Sequence, residues 1–234
     1  MDKPAHPVIT KDYPENIVGG FMICGINFGY SQEDEALEKS GKPVELNPLS
    51  FFSDKAVNNT LFRNTVLTWL SSWGFEFATE AGHDGEFERA FFQTNWLDTQ
   101  TRSIDSDELI NLNKLVQESD SFLTLLEARK PSIIFFFSNM MIEALNDIRI
   151  RERVVSILGK RSGNARIYQA ELPNYTGIKH KMLAQEFGET QIISLPHPQA
   201  RGISLEYIAA LKPPKDVIQK MIDKYEREHG KNRV

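Results

Sequence analysis

The sequence predicts an α/β fold in which a short, mainly parallel sheet lies between helices in three layers. Two segments, 17–27 and 132–137, are apolar at both alternating sets of positions, which is typical of strands buried on both faces. Segments with a helical spacing of apolar residues alternate with the strand candidates along the chain. This alternation indicates parallel strands joined by helices that cover both faces of the sheet.

Strand candidates are the runs that combine apolar, β-branched and aromatic residues. In chain order they are 17–27, 90–97, 132–137, 166–170 and 191–195. The first strand ends in a turn at Gly29. The polar segment 30–49 follows, with an acidic cluster at 33–38 and several Gly and Pro residues, so we expect an irregular lid on the surface.

Helices are predicted where apolar residues recur at intervals of three and four. The first helix has Ser53 or Asp54 as its candidate cap and Gly74 at its end. The others are 106–128, 139–149, 204–211 and, after a Pro-Pro pair, 215–229. The whole pattern predicts an N-terminal extension over 1–16 and a single domain over 17–229.

The composition argues against several classes of protein. No apolar run exceeds five residues, far below the roughly 20 that a membrane-spanning helix needs. The N-terminus carries charges and prolines where a secretory signal would be apolar, so we expect a cytoplasmic protein that does not bind membranes. The single cysteine, Cys24, can form neither an intramolecular disulfide nor a four-cysteine zinc site or an iron–sulfur cluster.

Charge is distributed unevenly along the chain. The net charge is −5, but residues 1–148 contain 11 Lys and Arg against 23 Asp and Glu, whereas residues 149–234 contain 16 against 9. The basic C-terminal part favours a face that binds phosphate. A lysine-rich terminal helix on a soluble protein is the alternative explanation.

Ligands of open parallel sheets bind beyond the carboxyl ends of the strands. Polar clusters lie at four of the predicted strand ends, at 24–31, 93–96, 137–139 and 195–202. The chain contains no GxGxxG and no phosphate-loop lysine, its five histidines show no HxxxH or HxH spacing, and it has no GxSxG. We therefore expect no nucleotide cofactor, no metal ion and no serine nucleophile.

The motifs at these ends together resemble those of the uracil-DNA glycosylase superfamily. They are Gly25-Ile26-Asn27-Phe28-Gly29, the Phe51-Phe52 pair before the next helix, the Thr94-Asn95 pair, and the segment TQIISLPHPQARGIS at 190–204. The first is similar to the motif of the mismatch-specific and single-strand-selective monofunctional branches, and the last is similar to the family's His-Pro-Ser element. The resemblance implies a uracil-DNA glycosylase-like α/β domain that acts on DNA without a cofactor. Phe28 stands where the branch has proline, and Gln199 stands where the family has serine.

Two residues are candidates for catalysis. Cleavage of a base from deoxyribose creates a cationic sugar and an anionic base, so the enzyme has to position a water molecule and stabilise the departing base. Asn27 fits the first role through its amide, as the resemblance implies, and a turn residue is the structural alternative. His197 fits the second role, because a neutral imidazole N–H can donate to a carbonyl oxygen of the base. A structural histidine in a Pro-x-Pro turn is the alternative for His197.

Substrate binding is predicted for residues around this pair. They are Gly25, Ile26, Phe28, Phe51, Phe52, Asn95 and Arg201. Asn95 can pair with the Watson–Crick edge of the base, or it is a structural loop residue. Phe51 or Phe52 can stack on a flipped base, with core packing as the alternative, and Arg201 can fill the gap left by that base or contact phosphate. Further candidates for contacts with the DNA backbone are Arg149, Arg151, Arg153, Lys160, Arg161, Arg166, Lys179 and Lys181.

The sequence therefore predicts a monofunctional DNA N-glycosylase that releases uracil or a related damaged base and has no obligate protein partner. One alternative is a catalytically inactive nucleic-acid or nucleotide binding protein of the same fold, which the departures at Phe28 and Gln199 and the acidic lid favour. Another alternative is a hydrolase of a different small molecule that uses the same pocket at the strand ends.

Overall fold

The structure is a computed structural model, and it describes residues 6–29, 50–52, 60–77, 85–98, 100–101 and 110–229. The predicted lid at 30–49, the candidate caps Ser53 and Asp54, and the beginning of the predicted helix 106–128 lie outside the described residues. The described ranges contain the strands and helices that form the sheet and its two covering layers.

A mostly parallel sheet forms the centre of the fold. The strands in chain order are β1 (Phe21–Gly25), β2 (Phe28–Gly29), β3 (Phe91–Asn95), β4 (Gln100–Thr101), β5 (Ile133–Phe136), β6 (Arg166–Tyr168), β7 (Met182–Phe187) and β8 (Thr190–Ser194). Within the described ranges, six strands form one sheet in the order β3-β1-β5-β8-β7-β6, and β2 pairs with β4 separately. β3, β1, β5 and β8 are parallel, whereas β7 is antiparallel to β8 and β6 is antiparallel to β7.

Helices cover both faces of this sheet. They are α1 (Pro14–Ile17), α2 (Leu61–Ser72), α3 (Glu86–Arg89), α4 (Leu112–Gln117), α5 (Ser119–Arg129), α6 (Asn139–Leu145), α7 (Arg151–Leu158), α8 (Leu205–Ala210) and α9 (Lys215–His229). Phe21 and Ile23 of β1 belong to a core that includes α2, α8 and α9, whereas Met22 and Cys24 belong to a second core that includes α4 to α7. The predicted α/β class, with a mostly parallel sheet between helices, is confirmed.

Most predicted elements have different bounds in the structure, and the predicted helix 139–149, for example, ends at Leu145. Three other differences have local causes. β1 begins at Phe21, because the chain leaves α1 through a turn at 18–20. α2 begins at Leu61, where the Thr60 hydroxyl oxygen accepts the backbone N–H of the third helical residue. The predicted helix 106–128 is divided between α4 and α5 at Glu118, whose backbone is not helical. The Ser119 hydroxyl donates to the Val116 carbonyl beside this break. Such side-chain bonds to the backbone compete with the hydrogen bonds of a helix.

The sequence pattern does not predict α7 or β7. α7 buries two residues, Val154 and Leu158, so its apolar spacing covers a single interval. β7 contains the buried Gln185, whose amide donates to the Gly163 carbonyl over 2.8 Å and accepts from the Asn146 amide over 2.7 Å. A buried polar residue interrupts the apolar pattern of a strand, so the apolar pattern alone does not reveal β7.

Residues 6–16, called here the N-terminal arm, pack along the outer edge of β3. Val8 forms an antiparallel bridge with Thr94, and the Ile9 N–H donates to the Gln93 carbonyl over 2.8 Å. β3 is the last strand at its side of the sheet. The arm therefore occupies backbone groups that an uncovered edge strand would offer to another chain.

Candidate active site

The carboxyl ends of the parallel strands meet at one edge of the sheet, where a pocket of about 220 Å³ opens. Its lining comes from residues that follow β1, β5 and β8 and from residues that precede β7. They are Ile26, Phe137, Ser138, Asn139, His180, Lys181, Pro196 and His197. Three of the four polar clusters singled out in the sequence therefore contribute to one site, called here the His197 pocket.

His197 follows β8, and its ring is held in one orientation. The backbone N–H of Gln199 donates to Nδ1 over 3.2 Å, and the ring lies beside Phe62 with centroids 6.0 Å apart. Burial lowers the pKa of His197 below its ordinary value, which favours the neutral ring at neutral pH. Because Nδ1 accepts a hydrogen bond, the neutral ring carries its hydrogen on Nε2 and is a donor there.

The residues after β5 add donors to the His197 pocket. The Ser194 hydroxyl donates to Oδ1 of Asn139 over 2.9 Å, which orients the amide and leaves its Nδ2 hydrogens available. The Ser138 hydroxyl oxygen caps α6 by accepting the Met140 N–H over 3.3 Å. Among the described residues, no Asp or Glu lines the pocket. The pocket is therefore rich in donors and suits a ligand that carries acceptors or negative charge.

Asn27 follows Ile26 at the end of β1, and among the described residues it is not one of those that line the pocket. The pocket-lining Ile26 accepts the Leu97 N–H at its carbonyl over 2.8 Å, so backbone pairing continues to the residue before Asn27. Asn27 itself is half-buried, and Phe28 follows in β2, which pairs with β4. Asn27 and His197 thus lie at the same edge of the sheet, on the ends of two strands that β5 separates.

Asn95 lies at this edge but not in the His197 pocket. It stands opposite Gly25 in the β1–β3 register, and a Cβ atom on Gly25 would come within 2.2 Å of Asn95 Oδ1. The glycine therefore makes room for the amide, and Asn95 is 5% exposed. His6 Nε2 donates to the Asn95 carbonyl over 2.7 Å. Because its amide packs against β1, the structure does not bring Asn95 to the pocket where a base-reading residue is expected.

Both predicted stacking residues, Phe51 and Phe52, are core residues in the structure. Each is 0% exposed, and Phe52 stacks on Phe77 with centroids 4.3 Å apart. The buried Arg63 donates to the carbonyl oxygens of both phenylalanines and holds their segment against α2. Neither ring is available to a flipped base in this conformation, because protein atoms already surround it. The structure therefore supports the alternative interpretation, in which both residues pack in the core.

Arg201 lies in the exposed loop after β8, four residues beyond the pocket-lining His197. A Cβ atom on Gly202 would come within 2.8 Å of Ile178 Cδ1, so this loop packs against the segment that precedes β7. That segment carries Lys179 and Lys181, which are both exposed. Lys179, Lys181 and Arg201 form what we call the basic rim, and in the described part of the chain none of them has an ion-pair partner.

Sequence reasoning assigns no role to His180 or Asn139. His180 precedes β7, which the pattern does not predict, so its position at the carboxyl edge is not visible in the sequence. Asn139 belongs to a cluster at a predicted strand end, but its availability as a donor depends on Ser194, 55 residues away. The Gly188-Glu189 pair between two apolar segments is the signal that indicates a β-hairpin here.

Two features are not found in the described ranges, a membrane-spanning helix and a cluster of metal ligands. No helix there is long and apolar enough to cross a membrane. Those ranges also hold no group of three or more His, Cys, Asp or Glu side chains placed to bind a metal ion.

No protein-family model matches the sequence, and a search among curated proteins finds no significant match. The function of the His197 pocket has to be inferred from its own chemistry.

Proposed function

We propose that this protein is a monofunctional DNA N-glycosylase that hydrolyses the bond between deoxyribose and uracil or a related damaged base. The observation that carries the proposal is the state of His197. Its neutral ring has Nδ1 occupied by the Gln199 N–H and presents Nε2–H in a pocket at the carboxyl edge of the sheet. This is a donor suited to an oxygen that gains negative charge during a reaction.

The chemistry of base release matches the donors in this pocket. Water adds to C1′ of the sugar, the N-glycosidic bond breaks, and the bonding electrons leave with the base as an anion that takes up a proton. A carboxylate near the departing base would oppose that charge, and the described lining contains none. Asn27 is proposed to orient the water, because an amide can both accept and donate hydrogen bonds without titrating.

Recognition of the base is proposed for the donors of the His197 pocket. Uracil has two carbonyl oxygens, and the pocket offers Nε2 of His197 and Nδ2 of Asn139 as neutral donors. Asn95 is packed against β1, so its amide would have to move to contact a base in the pocket. Arg201 and the other cations of the basic rim are proposed to contact the DNA backbone.

A second candidate function is a nucleotide or nucleic-acid binding protein that has the fold but no catalytic activity. The burial of Phe51 and Phe52 favours it, because a flipped base would lack an aromatic partner from these residues. Gln199 in place of the family's serine favours it as well. Release of a base distinguishes the two functions, because only the glycosylase produces abasic sites.

The test is a single-turnover assay with single- and double-stranded oligonucleotides that contain uracil, hypoxanthine, xanthine or a thymine mismatch. Abasic sites are scored by alkaline strand cleavage. We expect release of at least one base, inhibition by free product base, and full activity in EDTA. Asn27→Ala should lower the rate about a hundredfold, because it removes the group that positions water, whereas Asn113→Ala, an exposed asparagine of α4, should not.

Two results would contradict this proposal in different ways. If the wild-type protein releases no base from any oligonucleotide but binds them, the binding protein is the better description. If Asn27→Ala releases the base at the wild-type rate, the role assigned to Asn27 is wrong while the activity stands. Thermal melting of each variant establishes that a lost activity does not reflect unfolding.

A further inference from the structure

One wall of the His197 pocket contains a buried polar atom without a protein partner. Nε2 of His180 forms no hydrogen bond within the described residues. The backbone of His180 is fixed, because its N–H donates to the Ile178 carbonyl over 3.2 Å and its carbonyl accepts from the Tyr207 hydroxyl over 2.8 Å. A buried ring nitrogen without a partner is unfavourable unless water or a ligand completes its hydrogen bond. His180 lines the pocket, and because Nε2 has almost no accessible surface in this conformation, rotation of the ring toward the cavity is needed for a ligand there to provide that bond.

The charge beside this wall is positive, and no carboxylate of the described residues neutralises it. Lys181 lines the pocket next to His180, and the basic rim has no ion-pair partner in the described part of the chain. Elsewhere in the basic C-terminal part, Arg149 pairs with Asp147 and Arg153 pairs with Asp120. Other cations there, such as Arg151 and Arg166, form no ion pair with described residues but do not line the pocket. The rim is therefore a place where positive charge remains available to an anionic ligand.

The size of the pocket indicates which part of a ligand fits inside it and which part extends to the rim. A volume of about 220 Å³ is below the roughly 300–1,000 Å³ of sites that enclose drug-sized molecules. The pocket therefore suits a single ring, and the rest of a larger ligand would extend to the rim. His197 and His180 line the same pocket, so a base beside His197 and an anionic group beside His180 can belong to one molecule.

We propose that His180 and Lys181 form a phosphate subsite, which binds the phosphate of a nucleotide whose base lies against His197. The His180 ring donates from Nε2 to a phosphate oxygen, and the Lys181 ammonium group contributes charge and further hydrogen bonds. The subsite rests on the proposed function only for the position of the base. Its ligand chemistry, a phosphate monoester or diester, follows from two observations on the described residues: their pocket lining has no carboxylate, and the cations of the basic rim form no ion pair with them.

The test compares deoxyuridine 5′-monophosphate with deoxyuridine, which lacks the phosphate. Affinities are measured by NMR titration for the wild-type protein, Lys181→Ala, His180→Asn and the matched control Lys130→Ala. Lys130 is an exposed lysine that ends α5 just before β5 begins, at the opposite edge of the sheet. We expect the nucleotide to bind the wild-type protein about tenfold more tightly than the nucleoside. Lys181→Ala should remove most of this difference without weakening nucleoside binding.

Several outcomes would overturn the subsite. They are equal binding of nucleotide and nucleoside by the wild-type protein, failure of the nucleotide to bind at millimolar concentration, and equal losses in Lys181→Ala and Lys130→Ala. His180→Asn should weaken nucleotide binding alone, and its melting temperature shows whether it folds. If it does not fold, Lys181→Ala decides the proposal by itself, because an exposed side chain contributes little to stability.

The source of the phosphate is identified with a uracil-containing single-stranded oligonucleotide. If the strand supplies it, Lys181→Ala should reduce the salt dependence of binding by about 0.7 in the log–log slope, the value for one phosphate contact. If Lys181→Ala leaves the salt dependence of oligonucleotide binding unchanged but still weakens binding of the nucleotide, the subsite binds free nucleotides. A wild-type protein that releases no base but distinguishes nucleotide from nucleoside through Lys181 retains the subsite and loses the glycosylase proposal. A wild-type protein that releases a base but binds nucleotide and nucleoside equally contradicts the subsite and leaves the glycosylase proposal intact.

Discussion

Of the three histidines at the carboxyl edge of the sheet, His6 beside β3 and His197 after β8 each have a pKa that burial lowers. They differ in their hydrogen bonds. His6 is 8% exposed, its Nε2 donates to the Asn95 carbonyl over 2.7 Å, and its Nδ1 accepts from the Ser121 hydroxyl over 2.9 Å. His197 accepts the Gln199 N–H at Nδ1 and keeps Nε2 for a ligand in its pocket.

The direction of a pKa shift therefore does not distinguish a structural histidine from a functional one, whereas the hydrogen bonds of the ring do. Both rings favour the neutral form, but His6 has no donor or acceptor left for a ligand. A buried polar group whose partners are complete stabilises the fold. A group with one unused donor beside a cavity is a candidate for binding or catalysis. We therefore expect His6 to hold the N-terminal arm on β3 and His197 to act on substrate.

The largest expected effect is on the rate of base release. His197→Ala removes a donor that contacts charge in the transition state, which costs about 3 kcal/mol, or roughly a hundredfold in the single-turnover rate. His6→Ala should leave that rate within about twofold at a temperature where the variant is folded, because His6 does not reach the pocket. Equal losses of rate in the two variants would remove the functional distinction between the histidines.

The second effect is on stability, where His6→Ala should cost more than His197→Ala. His6→Ala removes the closer donor to the Asn95 carbonyl, leaving the Thr94 hydroxyl at 3.4 Å, and should lower the free energy of unfolding by about 2 kcal/mol. For a chain of this size that corresponds to roughly 4–8 °C in the melting temperature. His197→Ala should change the melting temperature by less than half of this, since the ring is half-buried. Lys11→Ala, an exposed change on the same arm, is the control for thermal or urea unfolding.

A third, smaller effect distinguishes the serines that serve the two sites. Ser194→Ala removes the hydroxyl that orients Asn139, and the loss of about 1 kcal/mol should slow base release roughly fivefold. Ser121→Ala removes the donor to His6 and should cost about 1 kcal/mol of stability without slowing release. Single-turnover rates and unfolding curves of both variants provide the check. A slower rate in Ser121→Ala would show that the arm contributes to the active site.

The smallest expected effect is a pH dependence of stability that originates in His6. Burial lowers the pKa of His6 in the folded protein, while its bond to the Asn95 carbonyl and the nearby Asp98 raise it and offset part of the change. Between the folded and unfolded pKa values the unfolded chain binds more protons, so stability falls as the pH drops from 7.5 through 6.5. Melting temperatures of wild type and His6→Ala at pH 7.5 and 5.5 should therefore converge at the lower pH. A constant difference between them would contradict the lowered pKa.

The parallel strands β1, β3, β5 and β8 are all predicted by the sequence, whereas of the two antiparallel strands β6 is predicted and β7 is not. β1 and β5 are buried on both faces, so they appear in the sequence as continuous apolar runs. β7 is not predicted because Gln185 lies in its interior, bonded to Gly163 and Asn146 from other parts of the chain. The position of His180 and Lys181 at the carboxyl edge depends on β7, so the apolar pattern does not predict the proposed phosphate subsite either.

The sequence alone determined the sheet class and identified Asn27 and His197 as residues at strand ends, because apolar runs and turn residues mark those ends locally. It could not decide which polar and aromatic side chains near the ends remain accessible. Asn95 is buried against Gly25, and Phe51 is enclosed in the core with its carbonyl held by Arg63. Only the tertiary structure decided these outcomes, because burial and hydrogen bonding depend on residues that are distant in the chain and come together through folding.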